Sequence, residues 1–229
     1  MTEARIQFNE VQVEKLTRVW GATRALSNVT LTFRGAEVTS IEGGNGAGKS
    51  TLLAVLATLV KPTSGRVFYG DYELPDDRED IRSAVGLVGH EAMVYPDLTA
   101  RESLRFMATL HDLKSPDARV EESLRALGLS DIADRPARTF SRGQMQRLAL
   151  ARAELHDPCL LLFDEPTTGL DHHATERLER AILAARERGR VVVVVTHDRP
   201  FAERVADVRV TLDRGKVKRV APRSPGRTA

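Results

Sequence analysis

Hydrophobic and polar residues change rhythm twice along this chain. From Val11-Gln12-Val13 through Val29-Thr30-Leu31-Thr32-Phe33 to Val38–Ile41, short β-branched stretches alternate with polar residues and are separated by Gly21 and Gly35. This pattern predicts strands joined by turns. Ser50 to Ala57 is dense in leucine, valine and alanine, as a core-facing helix would be, and Lys61-Pro62-Thr63-Ser64-Gly65 stops it. Arg66 to Gly70 and Ala84 to Gly89 read as two further strands.

From His90 to about Asp157 the period becomes helical. Thr99-Ala100-Arg101-Glu102 has the form of a capping box and precedes Leu104, Met107 and Leu110 at helical spacing. Ser115-Pro116 opens a second helix with Val120, Leu124 and Leu127 on one face, closed by Gly128, and a third begins at Ser141. The rhythm then reverts. Leu160 to Asp164 and Arg190 to Thr196 are nearly unbroken apolar runs, the mark of strands covered on both faces in a parallel sheet, with a charged helix from Asp171 to Glu187 between them and Gly189 after it. The order points to an α/β protein with helices inserted into a sheet.

Composition narrows the class. At 229 residues and 41% hydrophobic content the chain suits one large domain with an ample core. Its longest aliphatic run, Val191 to Val195, is far too short to span a bilayer, and the first residues are charged, so a cytosolic location is expected. The net charge of +2 gives no reason to invoke nucleic acid. The end of the chain, from Arg214 onward, is locally basic and carries Pro222, Pro225 and Gly226. It reads as a solvated, frayed end or as a contact for anionic lipid headgroups. The single Cys159, beside an apolar strand, reads as a small buried hydrophobe.

The candidate chemistry begins between the third strand and the first helix. Gly43-Gly44-Asn45-Gly46-Ala47-Gly48-Lys49-Ser50, followed by Thr51, fits G-x-x-x-x-G-K-[ST] in the context of strand, loop and helix. Its glycines let successive N–H groups converge on a di- or triphosphate at a positive helix end. Lys49 would contact the β- and γ-phosphates, and the Ser50 hydroxyl would ligate Mg²⁺, a hard cation that prefers oxygen. At the end of the next apolar strand, Asp164 would hold Mg²⁺, directly or through water, while Glu165 is placed to polarise a water as general base. His197, at the end of the strand after that, would orient the water or donate to the γ-phosphate. Trp20 is either core or a ring that stacks on a purine base.

The stretch Thr139-Phe140-Ser141-Arg142-Gly143-Gln144, followed by an arginine-rich helix, resembles the signature of the ATP-binding-cassette (ABC) ATPases, with Phe140 and Arg142 where Leu and Gly are usual. Together with Gly43 to Thr51, Leu160 to Glu165, Gly169-Leu170-Asp171 and His197, it falls in the family's order over nearly the whole chain. The resemblance implies an ABC cassette of the P-loop NTPase fold, with a mainly parallel sheet, an antiparallel β region at its N-terminus and an inserted helical lobe. Residues 1–89 and 158–220 would form the nucleotide-binding core, 90–157 the helical lobe and 221–229 a basic tail. It implies ATP and Mg²⁺ as ligands, integral membrane subunits as partners on the cytoplasmic face, and a head-to-tail pair of cassettes, expected to be identical. In such a pair Ser141, Gly143 and Gln144 of one copy meet ATP on the other, Asp171 lies at the contact, and Trp20 stacks on adenine. His90 stands where the family usually has a glutamine that bridges Mg²⁺ and the membrane subunit. The Gly89-His90 pair, followed by Tyr95-Pro96-Asp97-Leu98-Thr99 in a short cassette, looks like the ATPase of the haem exporter of cytochrome c maturation. Met93, Val94, Tyr95 and Leu98 would dock the membrane subunit or form lobe core. An exporter of another substrate is the nearest alternative, and a soluble cassette acting on ribosomes or DNA a more distant one.

Overall fold

The computed structural model describes residues 6–89 and 92–222. The chain opens on a hairpin of β1 (Glu10–Trp20) and β2 (Thr23–Arg34), with Trp20 opposite Thr23 and Gly21 at φ 56° in the turn. Both strands run longer than their alternation predicts. β1 slips register between Val13 and Leu16, where Lys15 has φ 48°, and slips again before Arg18 and Val19, so the period of two is lost although pairing continues. After β3 (Glu37–Glu42) and α1 (Lys49–Leu56), β4 (Ser64–Tyr69) returns to the other edge of β1 and β5 (Tyr72–Leu74) extends it. The first sheet is thus antiparallel, in the order β2-β1-β4-β5.

A short α2 (Arg78–Ser83) leads into β6 (Val85–Val88), and three helices follow: α3 (Ala100–Leu110), α4 (Pro116–Ala126) and α5 (Arg142–Glu154). Then come β7 (Leu160–Asp164), α6 (His172–Glu187), β8 (Val191–Val195), α7 (Arg199–Val205), β9 (Val208–Asp213) and β10 (Lys216–Pro222). The second sheet has the order β10-β9-β3-β8-β7-β6, parallel from β9 to β6, with β10 antiparallel at one edge. Its two faces are both buried, which is why the aliphatic runs are unbroken. Val191, Val193 and Val195 pack with α1 and the antiparallel sheet, whereas Val192 and Val194 pack with α5, α6 and α7.

The inserted helices have a core of their own, centred on Leu104, Val120, Leu124 and Leu148. Thr99 and Glu102 cap α3 reciprocally, the Glu102 N–H donating to Thr99 Oγ1 at 3.1 Å and the Thr99 N–H to Glu102 Oε2 at 2.8 Å. The second half of α5 serves two cores, since Leu148 and Ala151 belong to the lobe and Ala149, Leu150 and Ala153 to the sheet. Arg152 on the same helix donates to the Leu87 carbonyl at 2.6 Å. Its guanidinium is thereby buried, which holds its pKa below the usual arginine range. The helix that starts at the signature is therefore fastened to the sheet.

Two expectations change and one holds. Leu110, placed on the inner face of α3 by spacing, is exposed, and Ala108 takes the buried position one residue into the last turn. The basic run after Arg214 is not frayed as far as Pro222. Residues 216–222 form β10, whose lysines and arginine blunt an open sheet edge, and residues 223–229 lie outside the described residues. Cys159 is buried as expected, and desolvation raises its thiol pKa.

Candidate functional site

Three neighbouring strands end level with one another. Ile41 of β3 and Asp164 of β7 both stand opposite Val195 of β8, so the glycine loop, the Asp164-Glu165 pair and Thr196-His197 leave the sheet side by side at its carboxyl edge. The Glu165 N–H donates to the Val195 carbonyl at 2.8 Å and the Thr196 N–H to Ile41 at 3.4 Å, which ties the three exits together.

The loop after β3 is braced from outside. Arg209 of β9 grips Glu42 with two hydrogen bonds of 2.6 and 2.9 Å, and this carboxylate raises the arginine's pKa. The Gly215 N–H donates to the Ala47 carbonyl at 3.0 Å while the Ser27 N–H donates to Gly215, linking the loop to both sheets. Gly43 and Gly48 are obligatory: φ is 152° and 100°, and a Cβ would strike the Leu212 carbonyl at the first and the Ala25 carbonyl at the second. At Gly44 and Gly46 a Cβ would meet nothing within 4 Å, so the loop's other side is open. Helix α1 begins at Gly48 with no side-chain cap, leaving its first N–H groups for a ligand, and Lys49 Nζ lies 2.9 and 3.1 Å from the carbonyls of Gly43 and Gly44. With Asn45, Ser50 and Thr51 on the same turn and Asp164 on the adjoining strand, the donor set fits a Mg²⁺-bound nucleotide triphosphate: N–H groups and an ammonium for phosphate, hydroxyl and carboxylate oxygens for the ion.

Glu165 sits at φ 49°, a left-handed conformation that costs a non-glycine residue about 1–2 kcal/mol. What holds it there is visible. Its Oε2 accepts from the His197 N–H at 3.2 Å and lies 2.8 Å from His197 Nδ1, its own N–H is spent on Val195, and its carbonyl accepts from Thr168. The carboxylate is mostly buried whereas the imidazole is exposed, so His197 covers the carboxylate from the solvent side.

Ser141, Gly143, Gln144 and Asp171 form a second group. Ser141 caps α5 by accepting from Gln144 N–H at 3.3 Å, and Gln144 Oε1 returns the bond to Ser141 N–H at 2.8 Å. Asp171 caps α6 through Ala174 N–H at 2.7 Å. The two helix starts adjoin at Gly143, where a Cβ would touch that of Ala174. The contacts described thus join the loop, Asp164, Glu165 and His197 at one edge and the signature with Asp171 at another.

Trp20 is 49% exposed, so it is not core. The Arg18 guanidinium lies 3.9 Å from its ring centroid. His90 lies outside the described residues. Of the docking set, Met93 and Tyr95 are exposed, but Val94 packs into the lobe core. Phe106 and Leu110 of α3 complete the outer surface, with Tyr95 edge-on to Phe106 at 5.8 Å. Nothing in the sequence pattern pointed to the Arg209–Glu42 grip. Nor did it show that Arg142 lies on Gly169, where an added Cβ would collide with its guanidinium. In the first case the residues are 167 positions apart; in the second the unusual Arg142 was itself a signal, but its partner was not readable.

Residues 26–168 match the family model described as "ABC transporter". Among curated proteins, the chain is 32% identical to the ABC transporter ATP-binding protein NatA of Bacillus subtilis over 85% of this chain and 80% of that one. It is 40% identical to the cytochrome c biogenesis ATP-binding export protein CcmA of Pseudomonas putida over 70% of this chain and 76% of that one. Among solved structures it superposes on dimeric MJ0796, a bacterial ABC transporter cassette, with a TM-score of 0.86 at 30% identity, covering 94% of this chain and all of the other.

Proposed function

This chain belongs to the ABC transporter family as an ATP-binding, ATP-hydrolysing cassette, and on that premise we propose how its residues do the work and what they energise. The glycine loop and Lys49 bind the phosphates of ATP, and Ser50 and Asp164 hold Mg²⁺, which supplies charge neutralisation to the transferring phosphoryl group when bound. Glu165 takes a proton from water as its oxygen bonds to the γ-phosphorus, and the bond from that phosphorus to the bridging oxygen breaks, leaving ADP and phosphate. His197 keeps the carboxylate aimed. Two copies pair head to tail, so that Ser141, Gly143 and Gln144 of one face the γ-phosphate on the other. Trp20 stacks on adenine with the face that Arg18 leaves, and Asp171 lies at the contact. The observation that carries the mechanism is the Glu165 carboxylate, held in a strained backbone beside the loop by His197. No helix among the described residues is long and apolar enough to cross a membrane. Attachment to the cytoplasmic face goes through membrane subunits docked at the exposed apolar side chains of Met93, Tyr95, Phe106 and Leu110.

The transported cargo we infer is haem, or a haem-loaded chaperone, in cytochrome c biogenesis. The reading rests on the Gly89-His90 pair and on the 40% identity to the Pseudomonas putida export protein. Another transporter is the second reading, favoured by similarity to NatA and to the arginine transport protein ArtM of Bacillus subtilis, each 32% identical over more of this chain. Expression in a bacterium lacking its own cytochrome c maturation ATPase decides between them. Return of c-type cytochromes with the natural chain, and not with Glu165→Gln, supports haem export. No return, with the chain copurifying instead with an unrelated permease, supports the second reading.

A further inference from the structure

A second charged cavity lies away from the glycine loop. Between α4 and α5 on one side and α6 on the other runs a groove of about 730 Å³, within the size range of small-molecule sites. Seven arginines line it against three carboxylates. Two of those carboxylates are already engaged, Glu154 with Arg188 and Arg190, and Asp157 with Arg190. Among the described residues no carboxylate lies within ion-pair distance of Arg119, Arg125, Arg147, Arg177 or Arg180, which come from all three helices. The floor also carries unspent donors. Arg147 donates through Nη1 to the carbonyls of Leu127 and Gly128, yet its Nε is buried without an acceptor, and so is Nε2 of the adjacent Gln146. A buried donor left unpaired is costly, so each asks for an acceptor. Burial, and then the charge of Arg177, hold the Arg147 guanidinium below the usual arginine range, so like charges here repel each other.

We propose that this groove binds a small soluble anion carrying two or more phosphate groups, which bridges the helical lobe and α6. Guanidinium forks suit phosphate oxygens, and several arginines converging on one space suit several phosphates. A membrane lipid is the weaker occupant, because the exposed large hydrophobic residues, Met93, Tyr95, Phe106 and Leu110 among them, lie outside the groove and a headgroup seated here would have no apolar surface beside it. Neither Lys49 nor Asp164 lines the groove, whereas Gly143 of the signature stands in its wall, so filling the glycine loop with nucleotide separates the two sites.

The test is calorimetric titration of sodium tripolyphosphate into the full chain already saturated with Mg²⁺ and ADP, so that the glycine loop is filled. One equivalent should bind, with affinity falling as salt rises. Arg119→Ala combined with Arg177→Ala should weaken it by at least about tenfold, since each charge-assisted contact is worth roughly that much, while ADP affinity stays unchanged. Arg180→Ala alone, an exposed site where folding is not at risk, should weaken it by a smaller factor. Absence of binding, or binding that ignores these substitutions, overturns the proposal. Cosedimentation with phosphatidylglycerol vesicles that depends on the same arginines, without tripolyphosphate binding, overturns it in favour of a lipid headgroup.

Discussion

Nδ1 of His197 lies 2.8 Å from the same Glu165 oxygen that accepts the His197 main-chain N–H, so one residue holds the carboxylate by two bonds. In the tautomer with its proton on Nδ1 the imidazole donates, and Nε2 is left facing outward. A carboxylate pinned this way cannot swing to solvent. Its free oxygen is the one available to a water.

His197→Ala removes one of those bonds and keeps the other. We expect turnover to fall by about tenfold or more, within the span that general base catalysis supplies, with ATP affinity unchanged. Steady-state kinetics beside equilibrium binding of ATP separates the two. A loss confined to affinity would show that His197 serves binding instead.

Lys49→Ala should abolish measurable nucleotide affinity without unfolding the chain, because among the described residues the ammonium bonds only to the carbonyls of Gly43 and Gly44. Gly48→Ala should do both kinds of damage. At φ 100° with the Ala25 carbonyl in the way, a methyl group should cost about 2 kcal/mol and lower the melting temperature by about 4–8 °C for a chain of this size. Calorimetry of both variants, for ATP binding and for thermal unfolding, checks the pair.

The Arg142 guanidinium covers Gly169, whereas the signature it resembles has glycine at that place. Arg142→Gly should loosen the turn that leads to Asp171, and Gly169→Ala should displace the arginine. Combined, they should cost less than the sum of the two, by about 0.5 kcal/mol or more, as expected for residues in contact. Chemical denaturation of the four chains measures this. Strict additivity would mean that the contact carries no energy.

Much of this was legible in the sequence, and for physical reasons. Unbroken runs such as Val191 to Val195 can only be strands buried on both sides, and the glycines at 43, 46 and 48 precede a helix rich in leucine. The capping boxes at Thr99 and Ser141 placed two helix starts to the residue. What escaped was short or distant. α2 and α7 span fewer than two full turns, or barely that, and show little periodicity. β10 was hidden because an edge strand is allowed to be charged. Within the site, the order of the motifs pointed to Asp164, Glu165 and His197. The strained φ of Glu165 and its bond to His197 depend on β7 and β8 ending level, which a linear pattern does not contain.

The measurement that bears most directly on the whole account is ATP binding and single-turnover hydrolysis by Glu165→Gln beside the natural chain. Glutamine keeps the shape and an oxygen for His197 but cannot take a proton, so ATP should bind as before while hydrolysis drops by about 100-fold to 10,000-fold. With ATP trapped, the variant should also run as a dimer in size exclusion and return to monomer without nucleotide. Hydrolysis at the natural rate would contradict Glu165 as the base, and the assignment of this sheet edge as the reaction centre would fall with it.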